Sequence, residues 1–273
     1  MEASTISAIA REVKGAQDAC TQLQPFTSRH EGFDLDAAYE AAHLLHAARI
    51  AEGAKPVGRK IGFTNAAIWP VYGVAAPIWG YVYEHTLIRA DAGGRAECRL
   101  APLADPKIEP EIVFRFKAAP RDGMTPQEIL ATIEWVACGF EVVQSHFPGW
   151  KFKPPDTVAD GGLHGRLLVG TPCAVERLGG GAVLDLEALT LHLSRDGTLV
   201  ETGHGRNVLG NPLKAIAHLV ALLEEQGEHV RLQAGELVTT GTITAAFAVR
   251  EGETWTTKVE GVPLDPVSLR FAA

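Results

Sequence analysis

The stretch Pro106-Lys107-Ile108-Glu109-Pro110-Glu111-Ile112-Val113-Phe114-Arg115-Phe116 decides how the rest of the chain is read. It alternates as a half-buried strand does: Ile108, Pro110, Ile112, Phe114 and Phe116 share one face, and Glu109, Glu111, Val113 and Arg115 the other. Two carboxylates so close on one face repel each other. Water tolerates such a pair, and so does a cation that neutralises both. The apolar flanks favour a partly buried strand and a hard-metal site; two ordinary surface glutamates on a solvated face are the alternative.

Downstream, Thr125 caps a helix entered at Pro126 and expected to run to about Ala137. A strand follows over Gly139–Ser145, with Glu141 as a lone acid in an apolar setting. It can converge with Glu109 and Glu111, and three carboxylates suit Mg²⁺ or Mn²⁺, leaving positions for water and an oxygen-rich ligand. Upstream, Val57–Thr64 alternates as another strand. Its parity puts Lys60 between Gly58 and Gly62, so something can approach the backbone there. A desolvated amine would have a lowered pKa and could move protons near neutral pH; an edge-strand lysine that discourages aggregation is the other reading.

Between these strands, Ala66–Trp79 is rich in aromatics and proline and reads as a long ordered loop capping or lining a site. Gly93–Gly94 and Gly179–Gly181 read as turns between strands, with no helix after either to make a phosphate cradle. Trp150–Gly165 reads as a Gly/Pro-rich loop entering a strand near Arg166, and strands continue from about Val183 to Val200. Pro212 opens a helix that stops before Gly227, and Glu236–Val249 with Trp255–Val259 read as a β-hairpin closing the core. Two alanine-rich helices precede everything, one near Ser4–Thr21 and one from Asp34 or Asp36 to Gly53. On the latter, His43 and His46 read as solvated or packed imidazoles.

Length and composition narrow the classes. The 273 residues suffice for one large domain, or a main domain with a helical extension, and 46% hydrophobic content is that of a soluble globular protein. A net charge of −8 without a basic run argues against nucleic acid or an anionic membrane as partner. No stretch is long and apolar enough for a transmembrane helix, and the first residues do not read as a secretory signal. Cys20, Cys98, Cys138 and Cys173 are scattered, as suits reduced thiols in the cytoplasm.

Taken together, Gly58–Gly62, Pro106–Ile112, Phe140–Val143, Asp156–Asp160, Val208–Leu213 and Gly235–Gly241 resemble the 2-keto-4-pentenoate hydratase / 4-oxalocrotonate decarboxylase family, a branch of the fumarylacetoacetate hydrolase superfamily. The resemblance spans nearly the whole chain. It implies an α/β (α+β) fold, a mixed β-roll with outer helices: a helical N-terminal region over 1–55 and a catalytic domain over 56–273. It implies Mg²⁺ (or Mn²⁺) on Glu109, Glu111 and Glu141, with Lys60 as the catalytic proton-transfer group. Trp79, Ser145, Asp160, His164 and Thr242 are the candidate substrate contacts. It also implies a homo-oligomer.

The activity implied is a hydratase adding water to a 2-hydroxy-2,4-dienoate or 2-oxo-alkenoate in aromatic catabolism. Decarboxylation of a 4-oxalocrotonate-like diacid is the alternative. Hydratases of the family carry an acid where this chain has Ile78, and the decarboxylases resemble it more closely there and over Gly241–Ala246. After Asp160 the family has an amide and small residues; this chain has Gly161-Gly162-Leu163-His164. Two further readings stay open: a C–C bond hydrolase, with His146 or His164 activating water, and a non-catalytic partner subunit. Either lyase reaction would use one cation to grip the carboxylate and keto oxygens of a 2-oxo acid.

Overall fold

The computed structural model describes residues 1–66, 69 and 76–273. Two helices open the chain, α1 (Ala3–Ala19) and α2 (Leu35–Ala51). There follow β1 (Pro56–Gly62), β2 (Ile78–Tyr83), β3 (Leu87–Arg89), β4 (Arg95–Arg99) and β5 (Lys107–Phe116). Helix α3 (Pro126–Thr132) leads into β6 (Ile133–Val143), and α4 (Pro154–Ala159) precedes β7 (His164–Val169) and β8 (Cys173–Ala174). Helix α5 (Ala182–Ala188) precedes β9 (Thr190–Arg195) and β10 (Thr198–His204). Helix α6 (Pro212–Gln226) precedes β11 (Leu237–Thr239), β12 (Phe247–Ala248), β13 (Thr254–Glu260) and β14 (Ser268–Ala272).

The strands form two mixed sheets. The larger runs β2-β1-β11-β5-β6-β7-β3, with β12 also on β5 and β8 also on β6; the smaller runs β10-β9-β13-β14-β4. The larger sheet curls until β2, at one end, meets the turn that feeds β7 near the other. A Cβ built on Gly80 of β2 would lie 2.3 Å from the Gly161 carbonyl oxygen, so only glycine permits that closure.

Alternation in β5 divides the interior. Ile108, Ile112, Phe114 and Phe116 are fully buried in the main core, with Leu213, Ile216 and Leu219 of α6 and Trp255 and Phe271 of the smaller sheet. Each such side chain contributes about 1.5–3 kcal/mol through burial, so the strand's phase is strongly fixed. A second core joins Ile6, Ile9 and Val13 of α1 and Ala38 and Leu45 of α2 to Ile78, Phe147, Val158 and Leu163. The helix starts follow their capping residues: Asp34 accepts from Ala37 N at 3.0 Å, Thr125 and Glu128 cap each other's backbone, and Asn211 accepts from Leu213 N at 2.8 Å.

Several local expectations fail for physical reasons. The helix after Thr125 ends at Thr132 rather than near Ala137, because Ile133, Trp135 and Val136 pair with β5 and extend β6. The 150–165 segment contains a helix, α4, whose first turn is fixed by Asp156 accepting from Lys153 N at 2.8 Å. Gly179–Gly181 is followed by a helix after all, α5, where strand was expected from Val183. The supposed closing hairpin is no hairpin. β11 and β12 lie in the larger sheet, while β13 pairs with β9 and β14 in the smaller one. Of the expected loop Ala66–Trp79, residues 67, 68 and 70–75 lie outside the described residues, and Ile78 and Trp79 belong to β2.

Candidate metal centre

Strand register gathers the acids. β5 and β6 run antiparallel with Glu109 directly opposite Glu141 and Glu111 opposite Gly139. Glu109, Glu111 and Glu141 each offer an oxygen within 4.8 Å of the others. Glu111 and Glu141 are wholly buried, while Glu109 keeps an accessible edge on a cavity of about 180 Å³. β11 lies between β5 and β1, with Thr239 opposite Val113 on one side and Lys60 on the other. The Thr239 hydroxyl and the Gly241 N–H, the latter at 2.8 Å, both donate to Glu111 Oε2.

Lys60 enters from β1, only 4% exposed. Its Nζ donates to the Gly162 carbonyl at 2.9 Å and forms an ion pair with Glu141 Oε2 at 3.1 Å. Glycines make its berth. A Cβ on Gly62 would come within 3.2 Å of Nζ, and one on Gly162 within 2.9 Å of Cδ. His164 Nδ1 bonds the other oxygen of Glu141 at 2.9 Å, and its Nε2 meets Thr86 Oγ1 at 2.8 Å.

One ammonium is thus set among three carboxylates. Burial pushes Glu109 up to about 7, Lys60 opposing and Glu141 adding to the rise. Burial, with the charges of Glu141 and Glu109, lifts Glu111 well above the carboxylate range. Burial would raise Glu141 too, but Lys60 and His164 hold it low. For Lys60 itself burial pulls down, yet the three acids outweigh it and the pKa is raised. The lowered lysine pKa expected from desolvation is therefore not what the protein without a cation has, because desolvation is only one side of that balance.

The residues fit a hard divalent cation. Lys60 compensates one of three buried charges, at Glu141 Oε2, and among the described residues Glu111 Oε1 has no hydrogen-bond partner. Uncompensated carboxylate oxygens facing one another are costly unless a cation takes them up. An all-oxygen set suits Mg²⁺ or Mn²⁺ better than zinc.

The remaining candidates divide. Thr242 lines the cavity with Lys60 and Glu109, its hydroxyl donating to Thr244 O at 2.9 Å. His164 stands behind Glu141 rather than in that cavity, and Trp79 packs on Tyr39 and lines a separate cavity of about 220 Å³. Ser145 is buried in a turn, its hydroxyl donating to Phe147 O at 3.1 Å. Asp160 is 1% exposed and bonds His146 Nδ1 at 2.8 Å and Gln17 Nε2 at 3.0 Å, tying α1 down. Neither Ser145 nor Asp160 lines the cavity. Its walls are largely apolar, Phe63, Ile78, Val143, Trp150, Phe152 and Leu163, with Thr64, Asn65 and Thr244 as further polar members. Phe63, Trp150 and Leu163 have φ values of 56°, 59° and 63°, left-handed conformations that concentrate backbone strain around the site. Thr239, Gly162 and Thr86 were not foreseen as site residues. The motif Val238-Thr239-Thr240-Gly241 held a signal for the first, but no local pattern marks Thr86.

Residues 81–264 match the family described as fumarylacetoacetate (FAA) hydrolase C-terminal. The chain is 32% identical to a 4-oxalocrotonate decarboxylase of Pseudomonas putida over 267 residues, 97% of this chain and 96% of the relative. It is 30% identical to a 2-hydroxyhexa-2,4-dienoate hydratase of Comamonas testosteroni over 241 residues, 88% of each. Among solved structures, the 4-oxalocrotonate decarboxylase of Pseudomonas putida G7 complexed with magnesium and adipate superposes with a TM-score of 0.90 at 30% identity, covering 99% of this chain and 98% of the other.

Proposed function

The chain belongs to the fumarylacetoacetate hydrolase family, and from that premise we propose that it is a divalent-metal-dependent lyase acting on a 2-oxo-alkenoate or its 2-hydroxy-2,4-dienoate form. The observation that carries this reading is the buried trio Glu109, Glu111 and Glu141 beside Lys60 at the floor of a small apolar cavity. Relatives of matching length are named hydratases and decarboxylases of such acids, and one of them holds magnesium.

Glu109, Glu111 and Glu141 would hold Mg²⁺ or Mn²⁺. When bound, the cation supplies positive charge to steady the negative charge that develops on the oxygens of a 2-oxo acid. Lys60 Nζ, fixed by the Gly162 carbonyl, holds the proton to be passed to or from the substrate's carbon chain. With the carboxylates' charge shared by a cation, the field that keeps Lys60 charged would weaken, leaving burial as the influence that lowers its pKa. Phe63, Ile78 and Leu163 exclude bulk water from the chain's far end.

Hydration is the reading the resemblance implies, in the breakdown of aromatic compounds. Decarboxylation has a specific observation in its favour. Ile78 is 3% exposed and lines the cavity where an acid could otherwise hold water, and an apolar wall destabilises a substrate's remote carboxylate relative to neutral CO₂. Ultraviolet assays on 2-hydroxypenta-2,4-dienoate and on 4-oxalocrotonate, with Mg²⁺ and with EDTA, decide between them. We expect one substrate to be consumed with Mg²⁺ only. Undiminished turnover in EDTA would remove the proposal. A cytoplasmic homo-oligomer is the expected form; light scattering after gel filtration measures its size. No helix among the described residues is long and apolar enough to cross a membrane.

A further inference from the structure

The three acids are not held alike. Glu111 is pinned at Oε2 by the Thr239 hydroxyl and the Gly241 N–H, both from the chain beside it. Glu141 receives no backbone donor at either oxygen among the bonds of the described residues. One oxygen faces Lys60; the other, Oε1, is reached among the described residues by His164. A glutamate has three side-chain torsions, and fixing them costs rotamer freedom. Whatever fixes Glu141 before an ion arrives removes that cost from binding.

His164 is on the correct side of the sheet because of a β-bulge. In β6 and β7, Glu141 pairs with Leu167 and Val142 with Arg166, and then the register shifts so that Val143 pairs with His164. Without the shift, Leu167 and Gly165 would share the face of Glu141, and His164 would point away. The irregularity absorbs Gly165 and turns His164 inward. Gly165 has no substitute there, since a Cβ would sit 2.6 Å from the Val142 carbonyl oxygen. The imidazole is then trapped, its side chain 5% exposed, with Nδ1 on Glu141 and Nε2 on Thr86. Thr86 Oγ1 is anchored in turn by accepting from the Tyr83 N–H at 3.3 Å, which leaves its own proton for Nε2. Since a carboxylate accepts, Nδ1 carries the proton in that contact.

We propose that His164 is a positioning residue for the metal ligand Glu141, with Thr86 setting the imidazole from behind. The inference rests on the metal-centre reading given above. It assigns His164 a role away from the substrate, in contrast to the substrate contact expected from sequence.

Mn²⁺ binding followed by the electron paramagnetic signal of the free ion tests this without any turnover. In His164→Asn the amide nitrogen falls where Nδ1 was, so the donor to Glu141 survives. In His164→Gln it falls nearer the place of Nε2, toward Thr86, and that donor is lost. His164→Leu loses both. We expect Leu and Gln to weaken Mn²⁺ binding about 10–100-fold, as outer-shell losses do, with Asn within about threefold of the parent. Thr86→Val should weaken binding by a smaller factor. Parent-like affinity in His164→Leu, or equal loss in Asn and Gln, overturns the proposal. Should His164→Leu fail to fold, judged by its melt in EDTA, the Asn–Gln comparison decides alone. Glu109→Gln and Glu141→Gln run alongside. If neither alters Mn²⁺ affinity, the metal centre itself is wrong and the proposal falls with it; if they abolish binding while the histidine variants do nothing, only the role of His164 is lost.

Discussion

In the proposed reaction Lys60 would be a donor that a cluster of acids keeps charged, and a base once those acids are occupied. Its replacement by alanine should therefore separate two readouts. Turnover should fall by about 10²–10⁴-fold, the usual range for losing a general acid–base group. Mn²⁺ affinity should stay level or rise, because a competing positive charge 3.1 Å from Glu141 has gone. Equal loss of both would mean that Lys60 merely holds the site together. The acids give a pH signature. In the protein stripped of metal, Glu109 titrates near 7 against an ordinary 4.5, and Glu111 is shifted the same way. A raised carboxyl pKa contributes stability that is complete below the unfolded value and lost as pH rises through the folded one. Glu141 and Lys60 are shifted in the charged direction and oppose none of this inside that window. His43, His46, His85 and His218, whose pKa values burial lowers, add stability over the same window in parent and variant alike, so in EDTA the parent's melting temperature should fall relative to that of Glu109→Gln between pH 5 and pH 8, and Mg²⁺ should raise the parent's more at pH 8. A metal-induced shift that shrinks with rising pH would contradict the assignment. At this scale the sequence was readable where alternation governs: the parity of 108–116 and 57–63 put Glu109, Glu111 and Lys60 on their observed faces. It was unreadable at His164, where a bulge breaks the alternation, and at Ser145, whose hydroxyl is spent on a turn.

Among elements, the Gly161–Leu163 turn bears on both cavities. Gly162 and Leu163 line the one at the acids, and Gly161 the one beside Trp79. Gly162 has φ +71°, and an added methyl would press on Lys60 Cδ at 2.9 Å. Gly162→Ala should then cost about 10²-fold in kcat by moving the amine, as small misplacements do, with Mn²⁺ affinity little changed. Unaltered kcat would show that the lysine tolerates the shift. Helix α4 depends on Asp156, a buried carboxylate that takes Lys153 N at 2.8 Å and reaches across to Thr27 N at 3.0 Å and Thr27 Oγ1 at 2.7 Å. Asp156→Ala should destabilise the fold by about 2–4 kcal/mol, combining a lost cap with unpaired donors, as a urea melt would measure. Elements announced by caps were legible, among them α2, α3 and α6 at their starts. Ends and assignments set by distant pairing were not. Ile133–Ala137 could continue a helix on local grounds and becomes strand only because β5 lies alongside; β13 joins a different sheet from β11 for the same reason.

For the whole molecule, the question is whether residues 1–55 are an appendage. Their apolar faces share one core with Ile78, Phe147, Val158 and Leu163, and Gln17 bonds Asp160. Ile78 and Leu163 also line the cavity above the acids. Deleting 1–55 would strip the cover from that core. The truncated chain should be insoluble or molten, visible as dye binding and a lost cooperative melt; a soluble fragment with native Mg²⁺-dependent turnover would show the two parts to be separable. The resemblance implies a boundary near residue 55, where alanine-rich helix gives way to strand, but no pattern within 1–55 reveals what its buried face will meet.

Glu109 and Glu141 stand directly across from each other on neighbouring strands, and that pairing makes the centre indivisible. Were β5 to slide past β6 by a single residue, side chains of one strand would change faces, and the ligands would be parted at a stroke rather than loosened by degrees. Damage to the sheet should accordingly thin the population of competent molecules while leaving each survivor as capable as before. Counting ion-binding equivalents per chain would then double as a census of correctly assembled copies.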